Sequence, residues 1–436
     1  MTDGCPFNGV EKVFRLSSLS CHEEEVPTSR WEELASSICD LFIRPRIMDV
    51  ETISPRLLTR LFIVIFGCLG NDISTRKITK CNAHLTTLAQ ELLESLITSF
   101  GVINAGGLLA MNLREGSAEV PLFDLILRES AHCIARLCDN SDGDSLSRGP
   151  LFRDALIWAT NLVNFPVLRD GQQLAILHPL GLQLLEDYRC QLKILGLKML
   201  IHLAQEAVVA SWRTTGRAEA TLEALICQRS IHSGSAQLAE LTYNCISAFI
   251  SVLEPTLQKS WNSKFVDILL CDLALETSLD KRIILLRHIS KSIDGLGQEL
   301  LVHSKRLLKA AELVLLAPRA PPYKREIYSQ EHESFLLQLS ILKKYVDLVA
   351  GHLHPDIVPM ILPLIVAFVD LEWSRKEVDS SSPSMENMTH VIVAIFGKLA
   401  AADVIAFRDA LSTCSELFPS IKFILCTSTF ACLWRI

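Results

Sequence analysis

Apolar residues recur at three- and four-residue spacing along most of the chain, and the pattern is densest from Pro179 to Glu254, which reads as four helices in two antiparallel pairs. In the second of these helices Gln191, Lys198, His202 and Gln205 form one narrow polar stripe. Ile194, Leu195, Leu197, Leu200, Ile201 and Leu203 occupy most of the remaining surface. So little polar surface requires cover on two sides, the position of an inner helix in a stack of helical hairpins. Second helices of successive pairs are predicted to begin near Cys190, Ser235, Lys281 and Glu331, at intervals of about 45 to 50 residues, close to the ~40 to 47 of HEAT and armadillo units. The longest interval holds Ala317 to Gln330, where Pro318, Pro321 and Pro322 predict an extended loop. Leu238, Leu241, Cys245, Ala248, Phe249 and Val252 share one helix face, and Leu285, Leu286, Ile289 and Ile293 another.

The flanks extend this picture. Residues 1–30 mix Gly, Pro and Ser with the run Glu23-Glu24-Glu25 and are expected to be a flexible lead-in. A helical region over 31–139 follows. It holds a helix from about Trp31 to Ile43, a second that starts with Ser54 as N-cap and Pro55 at the first position, and a third that is capped by Asn82 and ends at Gly101. Leu85, Leu88, Leu92, Leu96 and Phe100 form the buried face of the third. Gly106, Gly107 and Gly116 mark irregular chain before a helix from about Pro121 to Cys138, partnered by Leu151 to Val163. Between these two, Asn140 to Pro150 is rich in turn formers and reads as a linker between domains. The solenoid itself is assigned to 151–400, with a last hairpin joining Ile357–Glu372 to Glu386–Ala400. Residues 401–436, β-branched and aromatic towards the end, form an atypical carboxyl tail.

Composition adds the class. The 436 residues are 49% hydrophobic with only 7% aromatic, and Leu dominates, which favours stacked amphipathic helices over sheets. The predicted fold is all-α, an α-solenoid of HEAT/armadillo-like hairpins. A formal net charge of -7 gives no whole-molecule attraction to nucleic acid or anionic membrane. None of the 14 cysteines sits in a C-x-x-C pair. Cys39, Cys68, Cys133, Cys190, Cys245 and Cys271 fall within apolar helical runs, where they are expected to be small buried hydrophobes in a reducing compartment. The start shows no signal-peptide core. The longest apolar runs, Leu61 to Leu69 and Ile357 to Val369, are shorter than the ~18 to 20 residues of a membrane span, so a protein of the cytoplasm and nucleus is expected.

Motifs for chemistry are sparse. G-x-S-x-G, H-E-x-x-H and the phosphate-binding G-x-x-x-x-G-K-[ST] do not occur. The aspartates within Asn140 to Pro150 lack the order of a calcium loop. His352 and His354 lack a third metal ligand and read as a polar helix start, and GLGQEL at Gly295 reads as a helix terminus. No catalytic, cofactor or metal site is expected. Two features bear on partners. From Asp280 to Ala350 basic residues outnumber acids, and Lys305, Arg306 and Lys309 are the candidates there for an acidic partner segment. Trp212 and Trp261 are the largest candidates for anchors on a concave surface, with burial in the core as the other reading of each, and Arg217 begins the helix after Trp212.

The block LLEDYRCQLKILGLKMLIHL, Leu184 to Leu203, followed by SWRTTGRAEATLEAL, Ser211 to Leu225, resembles the central region of the Tti-two family, the second Tel-two-interacting protein. The shared marks are the acidic-aromatic turn Glu186-Asp187-Tyr188-Arg189, the K-x-L-G-x-x-x-L helix from Lys193 to Leu200, and the helix start Gly216-Arg217-Ala218. A looser likeness runs from Leu174 to Leu371, while the chain beyond Ala400 departs from the family. The resemblance implies a non-enzymatic adaptor of the Triple T complex, which binds Tti-one with Tel-two as third member. Such an adaptor would act with the ninety-kilodalton heat-shock chaperone in maturation of phosphatidylinositol 3-kinase-related kinases. It would contact neither nucleic acid nor membrane directly. The residues themselves leave a second reading open, a HEAT-type transport or trafficking adaptor that binds linear peptides or anionic surfaces.

Overall fold

In a computed structural model, the described residues are 10–14, 33, 35–39, 54–70, 84–115, 117–138, 150–169, 171–228, 235–317, 325–350, 357–373 and 383–417. They form an all-α α-solenoid, divided into two compact units: Met1–Arg229 with Asn244–Leu253, and Ser230–Tyr243 with Glu254–Ile436.

The first unit is built on α1, Pro55–Leu69. As expected, Ser54 caps it, accepting from the Leu57 amide, and Pro55 supplies the first turn. Every residue from Leu58 to Cys68 is buried, so this helix is enclosed all round. Around it lie α2 (Leu85–Ser99), α4 (Leu122–Cys138) and α5 (Pro150–Thr160). Gly67 makes the closest crossing possible: a Cβ there would lie 2.6 Å from Leu151 of α5. The short helix α3, Ala105–Leu109, and an antiparallel hairpin of β1 (Asn112–Glu115) and β2 (Ala118–Pro121) stand where irregular chain was expected. α2 starts after His84; Asn82, the expected cap, lies outside the described residues.

Next come α6 (Gly171–Glu186), α7 (Cys190–Glu206), α8 (Val209–Thr215) and α9 (Arg217–Cys227), followed by α10 (Ala236–Val252), whose first half belongs to the second unit. Five helices replace the four expected, because Gly216 with φ +66° breaks one into α8 and α9. α6 begins at Gly171 and carries Pro179 inside it. The polar stripe of α7 is as predicted: Gln191, Lys198 and Gln205 are exposed, and His202 donates from Nε2 to the Val163 carbonyl at 2.7 Å.

The second unit is a two-layer ladder. α11 (Pro255–Leu275), α13 (Ser304–Leu315), α15 (Ile357–Trp373) and α17 (Val404–Leu417) pack in succession as one layer, and α12 (Leu279–Ile293), α14 (Arg325–Ala350) and α16 (Pro383–Ala402) as the other. Each helix thus meets its sequence neighbour or the next but one, which is the contact pattern of a solenoid. α7, α10, α12 and α14 start near the predicted positions. Because α14 begins at Arg325 rather than Glu331, the last interval is no longer than the first.

Several expectations need correction. Residues 10–14, placed in the flexible lead-in, are helical, with Val10, Val13 and Phe14 buried and the Phe14 ring between Phe152 of α5 and the Arg60 guanidinium of α1. The expected linker core, 140–149, lies outside the described residues. The flanking helices α4 and α5 pack together in one unit, and the division falls instead near 229–254. The atypical tail does not start at 401: α17 continues the stack, with Phe407 against Phe396 at 5.9 Å. Of the six cysteines expected to be buried, Cys39, Cys68 and Cys245 are, Cys133 is half-buried, and Cys190 and Cys271 lie on the surface.

Candidate interaction surface

The motif block of α6 to α9 is built for close packing. Asp187, buried after the end of α6, accepts from the Arg189 backbone amide at 2.8 Å and from its guanidinium twice at 2.9 Å. Burial alone would raise the Asp187 pKa; the bonds from Arg189 outweigh it and hold the carboxyl below its usual value. This clamp leaves Tyr188 between them 84% exposed, with the Arg189 guanidinium 5.6 Å from its ring centre. In α7, Gly196 faces α6 so closely that a Cβ would lie 2.8 Å from the Leu184 Cβ and 2.9 Å from the Gly181 carbonyl. Conversely, Gly181 accepts Leu200 of α7, the last leucine of the K-x-L-G-x-x-x-L run.

Trp212, for which the sequence left core and surface anchor open, is fully buried. Its indole N–H donates to the Leu203 carbonyl at 3.3 Å, and its ring meets His178 and Phe249 edge-on at 5.5 and 5.0 Å. A large apolar ring on a two-turn helix is worth more to the core than to solvent. Trp261 is likewise buried. Arg217 is half-buried beside these rings, with Nη1 enclosed and lacking a hydrogen-bond partner. Thr221 gives its hydroxyl proton to the Arg217 carbonyl, so His178 Nε2 must be the donor in the 2.7 Å bond to Thr221 Oγ1. The neutral ring suits its site: burial first, and Arg217 second, push the His178 pKa down to about 4.

Lys305, Arg306 and Lys309 are exposed along α13, as the sequence requires, but two of the three meet acids of the same unit. Arg306 reaches Asp267 at 2.5 Å, and Lys309 reaches Glu312 at 2.8 Å. Elsewhere in the basic segment Arg287 pairs with Glu333, Lys343 with Asp347, and Lys344 with Asp294. Glu312, Glu333, Asp347 and Asp294 belong to the same segment, so these pairs occupy individual cations but leave the surplus counted along the sequence in place.

One constellation escaped the sequence altogether. Ser263 and Asp267 of α11 flank His303, with Ser263 Oγ 2.9 Å from Nε2 and Asp267 Oδ1 2.7 Å from Nδ1. This is the connectivity of a nucleophile, base and orienting acid. Three features assign it to packing. Ser263 lies inside α11, whose own bonds consume the amides an oxyanion would need. Arg306 takes the same oxygen of Asp267, and with His303 holds that carboxyl below its ordinary pKa against the opposing effect of burial. The imidazole is only 3% exposed. Because the partners stand 36 and 40 residues apart, nothing local in the sequence could announce them.

The described residues hold no group of three or more His, Cys, Asp and Glu placed to bind a metal. Nor is any single described helix long and apolar enough to cross a membrane. The α7–α8 pair meets the length and composition only with a 107° bend.

No protein-family model and no curated protein matches the chain. Among solved structures, importin beta crystallised in a polyethylene glycol condition aligns with 94% of this chain and 67% of its own, at 11% identity and a TM-score of 0.29. Importin beta from an ammonium sulfate condition aligns with 91% of this chain and 60% of its own, at 10% identity and a TM-score of 0.30. Superposition this loose bears on no function, and the solenoid rests on the ladder of helix contacts.

Proposed function

We propose that this chain is a non-enzymatic adaptor of the Tti-two type, a subunit of the Triple T complex of the cytoplasm and nucleus. It binds Tti-one and, with Tel-two, serves the heat-shock chaperone system in maturing phosphatidylinositol 3-kinase-related kinases. What supports the reading is the Leu184–Leu225 block. The residues that carry the family likeness are those that set the geometry there: Asp187 and Arg189 lock a turn, Gly196 sets a helix crossing, and Gly216 breaks α8 from α9. A likeness confined to leucines would carry far less, since any stacked helix supplies them.

Gentle affinity purification of the full chain with identification of associated proteins tests this. Tti-one and Tel-two are expected together, and retained when Lys305, Arg306 and Lys309 are all changed to Glu. Their absence from a folded bait would refute the proposal. Loss of all partners on that charge reversal alone would instead favour an adaptor that reads acidic peptides or anionic surfaces.

A further inference from the structure

Arg217 opens α9 and carries a charge that the first unit does not balance. Its side chain is half-buried and its Nη1 is enclosed, yet among the described residues no hydrogen bond or ion pair reaches the guanidinium. Taking a cation even part of the way out of water is costly unless an anion or an acceptor meets it. Its place adds to the cost. The amino end of a helix is the positive end of its dipole, and no side chain caps α9 at Gly216.

The neighbours offer no counter-charge. One turn further along α9 stand Ala220 and Thr221, neither of them acidic, and the Thr221 hydroxyl is already engaged by the Arg217 carbonyl and His178. Glu219, two residues on, lies on a different side of the helix. The His178 ring is neutral, and Arg217 itself is one cause of that, after burial. Arg213, the nearest cation in sequence, directs its donors to the carbonyls of Val252 and Leu253. The contrast within this unit is plain. Arg60, Arg153 and Arg189, its other buried or half-buried arginines among the described residues, each face a carboxylate: Glu11 and Glu129, Asp154, and Asp187.

We infer that Arg217 receives a carboxylate from an associated protein chain, an aspartate or glutamate side chain held on the Nε and Nη2 edge while Nη1 stays enclosed. A single unpaired guanidinium matches one carboxylate taken at two points, whereas a phosphate is ordinarily read by a cluster of cations. The start of α9 is thereby part of an interface, and the pair fixes which acid of the partner sits there. The inference does not rest on the Triple T reading, since it specifies the acid and not the chain that carries it.

Zero-length carbodiimide coupling, which joins an amine to a carboxylate in direct contact, tests this on the full chain purified gently with its associated proteins. In the Arg217→Lys variant, mass spectrometry is expected to find position 217 joined to an aspartate or glutamate of another chain. Arg217→Gln is expected to retain that chain about tenfold less well. The Lys309–Glu312 pair, 2.8 Å apart, is the internal control of the coupling. A joined control with no product at position 217, a product only to an acid of this same chain, or full retention of the joined chain by Arg217→Gln overturns the inference. The chain alone gives a second measurement. An arginine kept for a partner adds nothing to the free fold, so Arg217→Gln is expected to leave the urea midpoint unchanged or to raise it. A lowered midpoint, or a variant that does not fold, overturns the inference by making Arg217 a structural residue. Should Tti-one be absent and the product lie on some other chain, the Triple T reading fails and this site stands.

Discussion

At the scale of single residues, two positions decide how the first unit closes. Gly196 lets α7 approach α6 to within contact of the Gly181 carbonyl and Leu184. A methyl there must push backbone rather than a flexible side chain, so Gly196→Ala is expected to lower stability by about 1–3 kcal/mol, seen as a shifted urea midpoint. The second position is His178. Its folded pKa of about 4 lies below the ordinary value of ~6.5, so between these limits the unfolded chain binds the extra proton. His178 therefore contributes fully above pH ~6.5, and its contribution is lost as pH falls towards 4. His288 in the second unit, lowered to about 4 by burial and then by Lys291, follows the same course. Each contributes roughly 3 kcal/mol over the window by linkage. Urea midpoints from pH 7 to pH 4 should fall, and His178→Gln, which keeps a donor for Thr221 without titrating, should flatten that fall for the first unit. The sequence offered Gly196 as part of a motif but not its reason, and offered no sign of His178, whose Thr221 partner is 43 residues away.

At the scale of elements, what could be read from the chain is what local periodicity and capping determine. Ser54-Pro55 marked the start of α1, Cys190 that of α7, and the α15–α16 hairpin came within a few residues. The β1–β2 hairpin was missed because its strands have four residues each, too few for alternation to show, and their glycine-bounded surroundings read as irregular. The burial of residues 10–14 was missed because the side chains that cover Phe14, Phe152 and Arg60, are distant in sequence. For Trp212, size and position near a helix start left anchor and core both open, and neighbours from α6 and α10 enclose it. One fastening between elements has a measurable value. Arg213 of α8 donates to the carbonyls of Val252 and Leu253 at 2.9 and 3.1 Å, satisfying the carboxyl end of α10. Arg213→Ala should lower the denaturation midpoint by an amount equivalent to about 1.5–3 kcal/mol, and Arg213→Lys should recover only part of it because an ammonium cannot present two fixed donors.

At the scale of the whole molecule, helices of the second unit that each meet a sequence neighbour and the next but one form the stacked faces on which a solenoid holds other chains. In the first unit a cleft of about 420 Å³ brings Arg56, Arg128, Glu115, Glu129 and His132 together with mixed charge. Such surfaces suit protein partners, and the adaptor reading places the chain's value in what it holds together. The most direct test is the fate of newly made phosphatidylinositol 3-kinase-related kinases in cells acutely depleted of this protein, followed by pulse labelling. The account predicts that the labelled kinases disappear faster than in undepleted cells and are restored by the full chain. Unchanged kinase survival in cells shown to lack the protein would contradict it.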